Sequence, residues 1–411
     1  MVDLFAKCAT DGGFFGWYRL NKDRYFQQPI LEGLPGPHMR FEGRDVIMWA
    51  INSYTGLVQN EEIKQVALES VRKWGTFTPM GSRMLTGNTA QHVALESKLA
   101  AFLQKPAAIL FNYGYLGVLG SVSAFIGPED EVIIDKLSHA SMVDAAILAS
   151  AGRRFRPFKH NDMEDLGDLA KLREICELKD RYGARLFVDD AHGFGVMGPN
   201  GRGTGEHLGV QDKVDLCFGT FAKAFAAIGG VTAGPEDAVE YIRYNARSNV
   251  FAKALPMVYV DVIAKSLEVM QSHPELRQRT WAVAKRLQDG LTALGYDIGD
   301  TQSPITPLYV PAGDERMAQQ MIRTLRDDHG VFVSGVAYPV VPRGVILFRM
   351  IPTALHSDED VDRTVAAFRT LRDGMKLDLS LKPSRVNRQA ARPRPILGHG
   401  CLSSLRGRTC P

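Results

Sequence analysis

Leu186-Phe187-Val188-Asp189-Asp190-Ala191-His192-Gly193 is an apolar run that ends abruptly in acid, and a short stretch of chain later comes Gly219-Thr220-Phe221-Ala222-Lys223. The first reads as a buried strand whose end carries chemistry. The second sits among Gly219, Ala222, Ala224, Ala226, Ala227, Gly229 and Gly230, small residues that let a bulky group approach the backbone. An ordinary surface lysine needs no such neighbours. One amine paired with one strand-end carboxylate is what a pyridoxal phosphate (PLP) site requires. The lysine forms a Schiff base, and the carboxylate keeps the pyridine nitrogen protonated so that the ring accepts electrons.

Working outward, His192 is placed to bond the phenolic oxygen of such a ring or Asp189 itself. The Asp-Asp-Ala-His run could also be half of a metal site, but no further His, Cys or carboxylate stands at ligand spacing, so no metal is expected. Asp135-Lys136-Leu137-Ser138-His139-Ala140-Ser141 repeats the pattern of strand end and small-residue turn, which makes His139 a candidate for stacking on the ring. Asn112-Tyr113-Gly114-Tyr115 separates an apolar strand from a helical stretch. The backbone N–H groups of Gly114 and Tyr115 at such a helix start suit a phosphate. Thr220, three residues before the lysine, offers a hydroxyl. Gly198-Pro199-Asn200-Gly201-Arg202-Gly203-Thr204-Gly205 fails the dinucleotide fingerprint, because Glu206 stands where the third glycine belongs, and reads as a loop. Arg349 interrupts Val345-Ile346-Leu347-Phe348-Arg349-Met350. An arginine in so apolar a strand needs an anion, either a structural carboxylate or that of an amino-acid substrate.

At 411 residues the chain exceeds one ordinary core. Four segments are expected: an N-terminal arm over 1–55, a large α/β cofactor domain with a mostly parallel sheet over 56–258, a smaller α+β domain over 259–378, and a basic tail over 379–411. The tail from Lys382 holds seven Lys/Arg and no Asp/Glu, so the net +3 less those seven charges leaves −4 for the rest. Rich in Pro and Gly and without interleaved aromatics, it reads as disordered rather than as a nucleic-acid grip. Five scattered cysteines, no signal-like amino terminus and no membrane-length apolar run point to the cytoplasm. Ile63, Val66, Ala67 and Val71 recur at helical spacing before Gly75, which predicts a helix over 61–74. Strands are predicted at Ala107–Phe111, Val132–Asp135, Leu186–Asp189 and Leu216–Gly219, and later at Ile305–Val310, Val331–Ser334 and Val345–Met350. A helical stretch is predicted over 257–294, and a last helix starts at the capping-box pattern Ser357-Asp358-Glu359-Asp360.

Taken together, these segments resemble the α-oxoamine synthases, a branch of the fold-type I PLP enzymes, over residues 40–375. The resemblance rests on Asn52-Ser53-Tyr54-Thr55-Gly56-Leu57, Gly81-Ser82-Arg83, Gly87 to Glu96 with His92, Ser138-His139-Ala140-Ser141, the two opening runs, and Arg349 through His356. Tyr244 through Met257 is particularly similar to bacterial serine palmitoyltransferase-like members. The resemblance implies a homodimer with the cofactor between subunits, and a decarboxylating condensation of an amino acid, L-serine first, with a long-chain acyl-CoA. A lipid substrate also implies peripheral association with a membrane. Lys223 would hold the cofactor and later take the Cα proton. Asp189 would pair with the ring nitrogen, His139 stack on the ring and His192 bond the phenolic oxygen. Thr220, Gly114 and Tyr115 would hold phosphate, and Arg349 with Asn52 the substrate carboxylate. Alternatives are a glycine C-acyltransferase of the aminoketobutyrate or aminolevulinate type, a catalytically silent partner subunit, or a plain aminotransferase.

Two departures stand out. Ala222 and Ala252 occupy places where relatives often carry hydroxyls. Between Lys159 and Leu169, relatives insert on the order of twenty to thirty residues, enough for a core strand with its connections.

Overall fold

The computed structural model describes residues 4–9, 25–75, 79–150, 155–158, 169–338 and 340–383. All of the segment Lys159–Leu169 but its last residue, and the tail from 384 on, lie outside the described residues. Three short strands come first: β1 (Leu31–Glu32), β2 (His38–Phe41) and β3 (Arg44–Met48), an antiparallel meander. Its second turn is Glu42-Gly43, both at positive φ, the geometry a two-residue hairpin demands. Helix α1 (Glu61–Trp74) has the limits its apolar spacing predicts; Asn60 caps it by accepting from the Ile63 amide at 3.0 Å, and Gly75 ends it at φ 68°. Helix α2 (Ala90–Leu103) follows, capped by Thr89.

The large domain then alternates strand and helix: β4 (Ala107–Phe111), α3 (Gly114–Phe125), β5 (Val132–Asp135), α4 (Ala140–Ser150), β6 (Phe155–Phe158), α5 (Leu172–Tyr182), β7 (Phe187–Asp189), β8 (Leu216–Thr220) and β9 (Gly230–Gly234). The main sheet runs β4-β9-β8-β7. Strands β7 and β8 are parallel, and β9 runs against both its neighbours. Parallel β5 and β6 form a separate pair. Leu95, Leu99, Phe221, Phe225 and Ile263 lie in the core of this domain.

Beyond α6 (Glu236–Asn245), the helical stretch predicted over 257–294 is two helices, α7 (Met257–Ser272) and α8 (Pro274–Ala293). Pro274 lacks an N–H and cannot continue the first, so it opens the second. The small domain adds β10 (Thr306–Tyr309), α9 (Glu315–Asp327), β11 (Val331–Phe332), β12 (Ser334–Val336), β13 (Leu347–Met350) and α10 (Asp358–Met375). The run predicted as one strand, Val331–Ser334, serves two sheets: β11 pairs in parallel with β3, whereas β12 joins β13 in the antiparallel sheet β10-β13-β12. The N-terminal meander is thereby sewn to the small domain. The capping box of α10 is formed, with Ser357 Oγ accepting from the Asp360 amide at 3.0 Å and Asp360 Oδ2 from the Ser357 amide at 2.8 Å. Among the described residues, no helix is long and apolar enough to cross a membrane.

Candidate active site

Strands β7 and β8 deliver two chain ends side by side, with Asp189 opposite Phe218 and the Asp190 amide donating to Phe218 O at 2.9 Å. The paired acids then part company. Asp190 accepts from the Thr204 amide and hydroxyl at 2.5 and 2.6 Å, and burial pushes it up to about 6. It staples the loop after the strand. Among the described residues Asp189 accepts one short-range bond, from the Ala191 amide at 3.2 Å. Burial raises its pKa, opposed by the charge of Lys223, that bond and His139.

Lys223 stands in the turn between β8 and β9. Bonds from the Phe221 amide to Gly229 O (3.0 Å) and from the Ala227 amide to Phe221 O (2.9 Å) close that turn. Phe221, Ala224 and Phe225 are fully buried, and Phe225 stacks on Phe194 at 4.5 Å, so the turn is anchored from within. Burial brings the amine down to about 8; Arg349 pushes the same way and Asp189 opposes both. His192 is held well below its ordinary value, first by burial, then by Lys223, Arg349 and His139. Its Nδ1 lies 2.7 Å from Tyr54 Oη. Burial raises the Tyr54 hydroxyl above its usual range, so that group stays protonated and holds the His192 ring through Nδ1, with Nε2 on the other side of the ring.

His139 is exposed, its Nδ1 2.8 Å from Ser141 Oγ, and its charge reaches both Asp189 and His192. Arg349, on β13, has no carboxylate partner among the described residues. Asn52 Oδ1 and Ser53 Oγ are buried without a hydrogen-bond partner. At the start of α3 no side chain caps the helix, and its first N–H groups stay open. A Cβ on Gly114 would sit 2.9 Å from Thr220 Oγ1, which shows how closely that helix start approaches the end of β8. Thr220 Oγ1 itself donates to Gly229 O at 3.0 Å. Lys223, Asp189, His139, His192 and Arg349 lie near enough to act on one another's charge, and Gly114 lies against Thr220. Tyr54 and Thr55 were missed; Thr55 Oγ1 donates to Ala224 O at 2.5 Å and ties the N-terminal segment to the lysine turn. Among the described residues no cluster of His, Cys, Asp and Glu could hold a metal.

This donor set fits PLP: an amine, an acid facing it, an exposed imidazole, an uncapped helix start and unspent polar atoms at Asn52 and Ser53. Fold and site together define a fold-type I PLP enzyme. A family model described as aminotransferase class I and II matches residues 44–171 and 165–368, and the chain belongs to that family. Within it the chain is an α-oxoamine synthase, a PLP-dependent decarboxylating acyltransferase. It is 41% identical to a cysteate-C-fatty acyltransferase of Capnocytophaga ochracea over 405 positions, covering 92% of this chain and 96% of that one. A serine palmitoyltransferase of Bacteriovorax stolpii is 36% identical over 373 positions, covering 85% and 87%. The solved serine palmitoyltransferase of Sphingomonas wittichii superposes with a TM-score of 0.83 at 27% identity, covering 91% and 99%. Since 92% of 411 residues is about 378, about 27 of the 405 positions have no residue in this chain. For the second relative, 85% is about 349, and about 24 of the 373 have none.

Proposed function

We propose that the chain condenses L-serine with a long-chain acyl-CoA, losing CO₂ and CoA thiol to give the amino-ketone that begins a sphingoid base. What supports this reading is that Asp189 and Arg349 both act on the charge of Lys223: an amine brought down to about 8, an acid near it and a cation that meets no carboxylate among the described residues. Bound there, the cofactor supplies an electron sink for charge developing at the amino acid's Cα. Lys223 holds the cofactor and then moves the Cα proton. Asp189 pairs with the ring nitrogen, His139 lies against the ring, and His192 bonds the phenolic oxygen. Thr220 with the Gly114 and Tyr115 amides holds phosphate. Arg349 grips the substrate carboxylate as a two-pronged donor, with Asn52 beside it.

A homodimer fits the surface around the cleft. Met80, Leu85 and Phe251 are 76%, 78% and 75% exposed, and this rim is tied to the site by Lys253 Nζ donating to Met80 O at 2.8 Å and by Asn112 Nδ2 donating to Lys253 O. A second copy would cover it. A second substrate reading is L-cysteate, favoured because the Capnocytophaga relative exceeds the Bacteriovorax one in identity, 41% against 36%. The test is CoA-thiol release by the PLP-loaded protein given palmitoyl-CoA with L-serine, glycine or L-cysteate. Fastest release with serine supports the first reading, and fastest release with cysteate selects the second. No release with any of them, while a 2-oxo acid is turned over, would make the protein an aminotransferase.

A further inference from the structure

Residues 49–56 run from the end of β3, which pairs with β11 of the small domain, to the lysine turn, where Thr55 holds Ala224 O. A second segment, 351–356, leaves the end of β13 and lies along the first. The Ile351 amide donates to Trp49 O at 2.8 Å, and the Ala354 amide to Tyr54 O at 2.7 Å. Farther along, a Cβ on Gly56 would sit 2.5 Å from Leu355 Cγ, so the two segments touch at that end too. Asn52 lies in the first segment, and Arg349 stands two residues ahead of the second. The charge of Arg349 reaches Tyr54, His192 and Lys223, which puts its guanidinium on the side of the cofactor groups.

Two rings close the joint. Trp49 and His356 stack with 4.0 Å between centroids and 11° between planes, and both are fully buried. Each ring is held by its edge. Trp49 Nε1 donates to Thr364 Oγ1 at 2.9 Å, and Thr364 Oγ1 donates to Asp360 O at 2.7 Å, which ties the indole to α10. His356 Nδ1 accepts from the Thr353 amide at 3.1 Å and lies 2.9 Å from Thr353 Oγ1. Burial brings that imidazole down to about 4, so it stacks as a neutral ring and lends no charge to the cleft. At the far end, Tyr54 O also accepts from Thr280 Oγ1 at 2.7 Å, and Tyr54 Oη holds His192. The strap is thus fixed to the small domain at Trp49 and to the cofactor side at Tyr54 and Thr55, with Asn52 between.

We propose that Trp49 and His356 are positioning residues: their stack sets where Arg349 and Asn52 stand relative to each other and to Lys223, and so governs affinity for the amino-acid carboxylate without governing affinity for the cofactor. The proposal rests on the functional reading in taking a carboxylate as what those two residues hold. Small movements suffice, because misplacement by about 1 Å can cost roughly 100-fold where groups must be aligned. A stack with a merely structural part would, once removed, loosen everything it supports, the cofactor included.

The test titrates the PLP-loaded full chain with L-serine, glycine and L-cysteate in the absence of acyl-CoA, and takes each dissociation constant from the change in cofactor absorbance. PLP affinity and thermal midpoint are measured on the same proteins. His356→Asn keeps an acceptor for the Thr353 amide and loses the stack, whereas His356→Phe keeps a stacking ring and loses the acceptor. The first should weaken amino-acid binding about tenfold, by one factor for every amino acid that binds, with PLP affinity unchanged within about twofold. His356→Phe should restore most of the loss. Unchanged amino-acid affinity in His356→Asn overturns the proposal, as does PLP affinity falling in step with it, or His356→Phe binding no better. If His356→Asn does not fold, Trp49→Leu removes the stack from the other face and Trp49→Phe keeps it, with the same outcomes read. In the unmodified protein, the amino acid that binds should slow hydrogen exchange at the Ile351 and Ala354 amides at least about threefold, and unaltered exchange also overturns the proposal. No absorbance change with any of the three in the unmodified protein sinks the functional reading and this one with it; a change that the variants leave untouched sinks this one alone.

Discussion

Raising the pH through 8 should switch Lys223 from ammonium to amine, because its pKa is brought down to about 8, mainly by burial. At pH 7 about 9% of the side chain is then free base, against about 0.03% for an ordinary lysine near 10.4 to 10.5, a gain of roughly 300-fold or about 3 kcal/mol. Capture of PLP by the apoprotein needs the free amine, so its rate should climb with a midpoint near 8. The charges around the amine make the expectation sharper. Asp189 raises the pKa and Arg349 lowers it, so Asp189→Asn should move the midpoint down and Arg349→Gln should move it up. Stopped-flow absorbance on mixing apoprotein with PLP at fixed ionic strength measures all three. The linkage has a definite sign. With the folded pKa below the unfolded one, the unfolded chain binds more protons between about pH 8 and 10.5, and stability of the apoprotein from this group rises with pH across that window. A native midpoint near 10.5, or both variants moving the same way, would refute the reasoning.

Glu96 receives Arg83 Nη1 at 2.8 Å, the Leu110 amide at 3.0 Å and Arg243 Nη2 at 3.2 Å, and it is buried with Arg83. Glu96→Ala should lower unfolding free energy by about 3–5 kcal/mol in denaturant titration, and Arg83→Met added to it should recover part of the loss. Gly114→Ala places a methyl 2.9 Å from Thr220 Oγ1, and PLP affinity measured by titration should fall about tenfold; unchanged affinity would remove the phosphate from that helix start. Asp190 has a folded pKa of about 6, above its unfolded value, so its contribution to stability falls as pH rises from about 4 to 6; Asp190→Asn should flatten that part of the stability–pH profile.

Most elements were legible where a local pattern decides structure. The limits of α1 follow from four apolar residues and a glycine, and β4 and β5 from apolar runs between turns. Strand β9 was not legible, because Gly230-Val231-Thr232-Ala233-Gly234 looks like a loop. Its small residues are demanded by packing, since a Cβ on Gly230 would lie 2.6 Å from the Phe218 ring and one on Gly234 2.5 Å from Leu216. Strand β6 was hidden by Pro157, a residue that favours sheet edges, and among the described strands β6 pairs only with β5. In the site, Lys223 and Asp189 announced themselves through their own neighbours. Tyr54 did not, because its meaning lies in His192, 138 positions away, and no local pattern foretells that contact.

Asp189 and Asp190 show why register matters more here than residue type. They are chemically identical and adjacent, yet one faces the amine and the other is consumed by Thr204. Alternation along the strand makes that division, so a slip of β7 by one residue would exchange them and leave a stapled acid in the cleft. Three residue pairs hold the register, Phe187 with Leu216, Val188 with Cys217 and Asp189 with Phe218, all on the β8 side. The identity of the acid that meets Lys223 thus depends on how firmly one short strand is held in register.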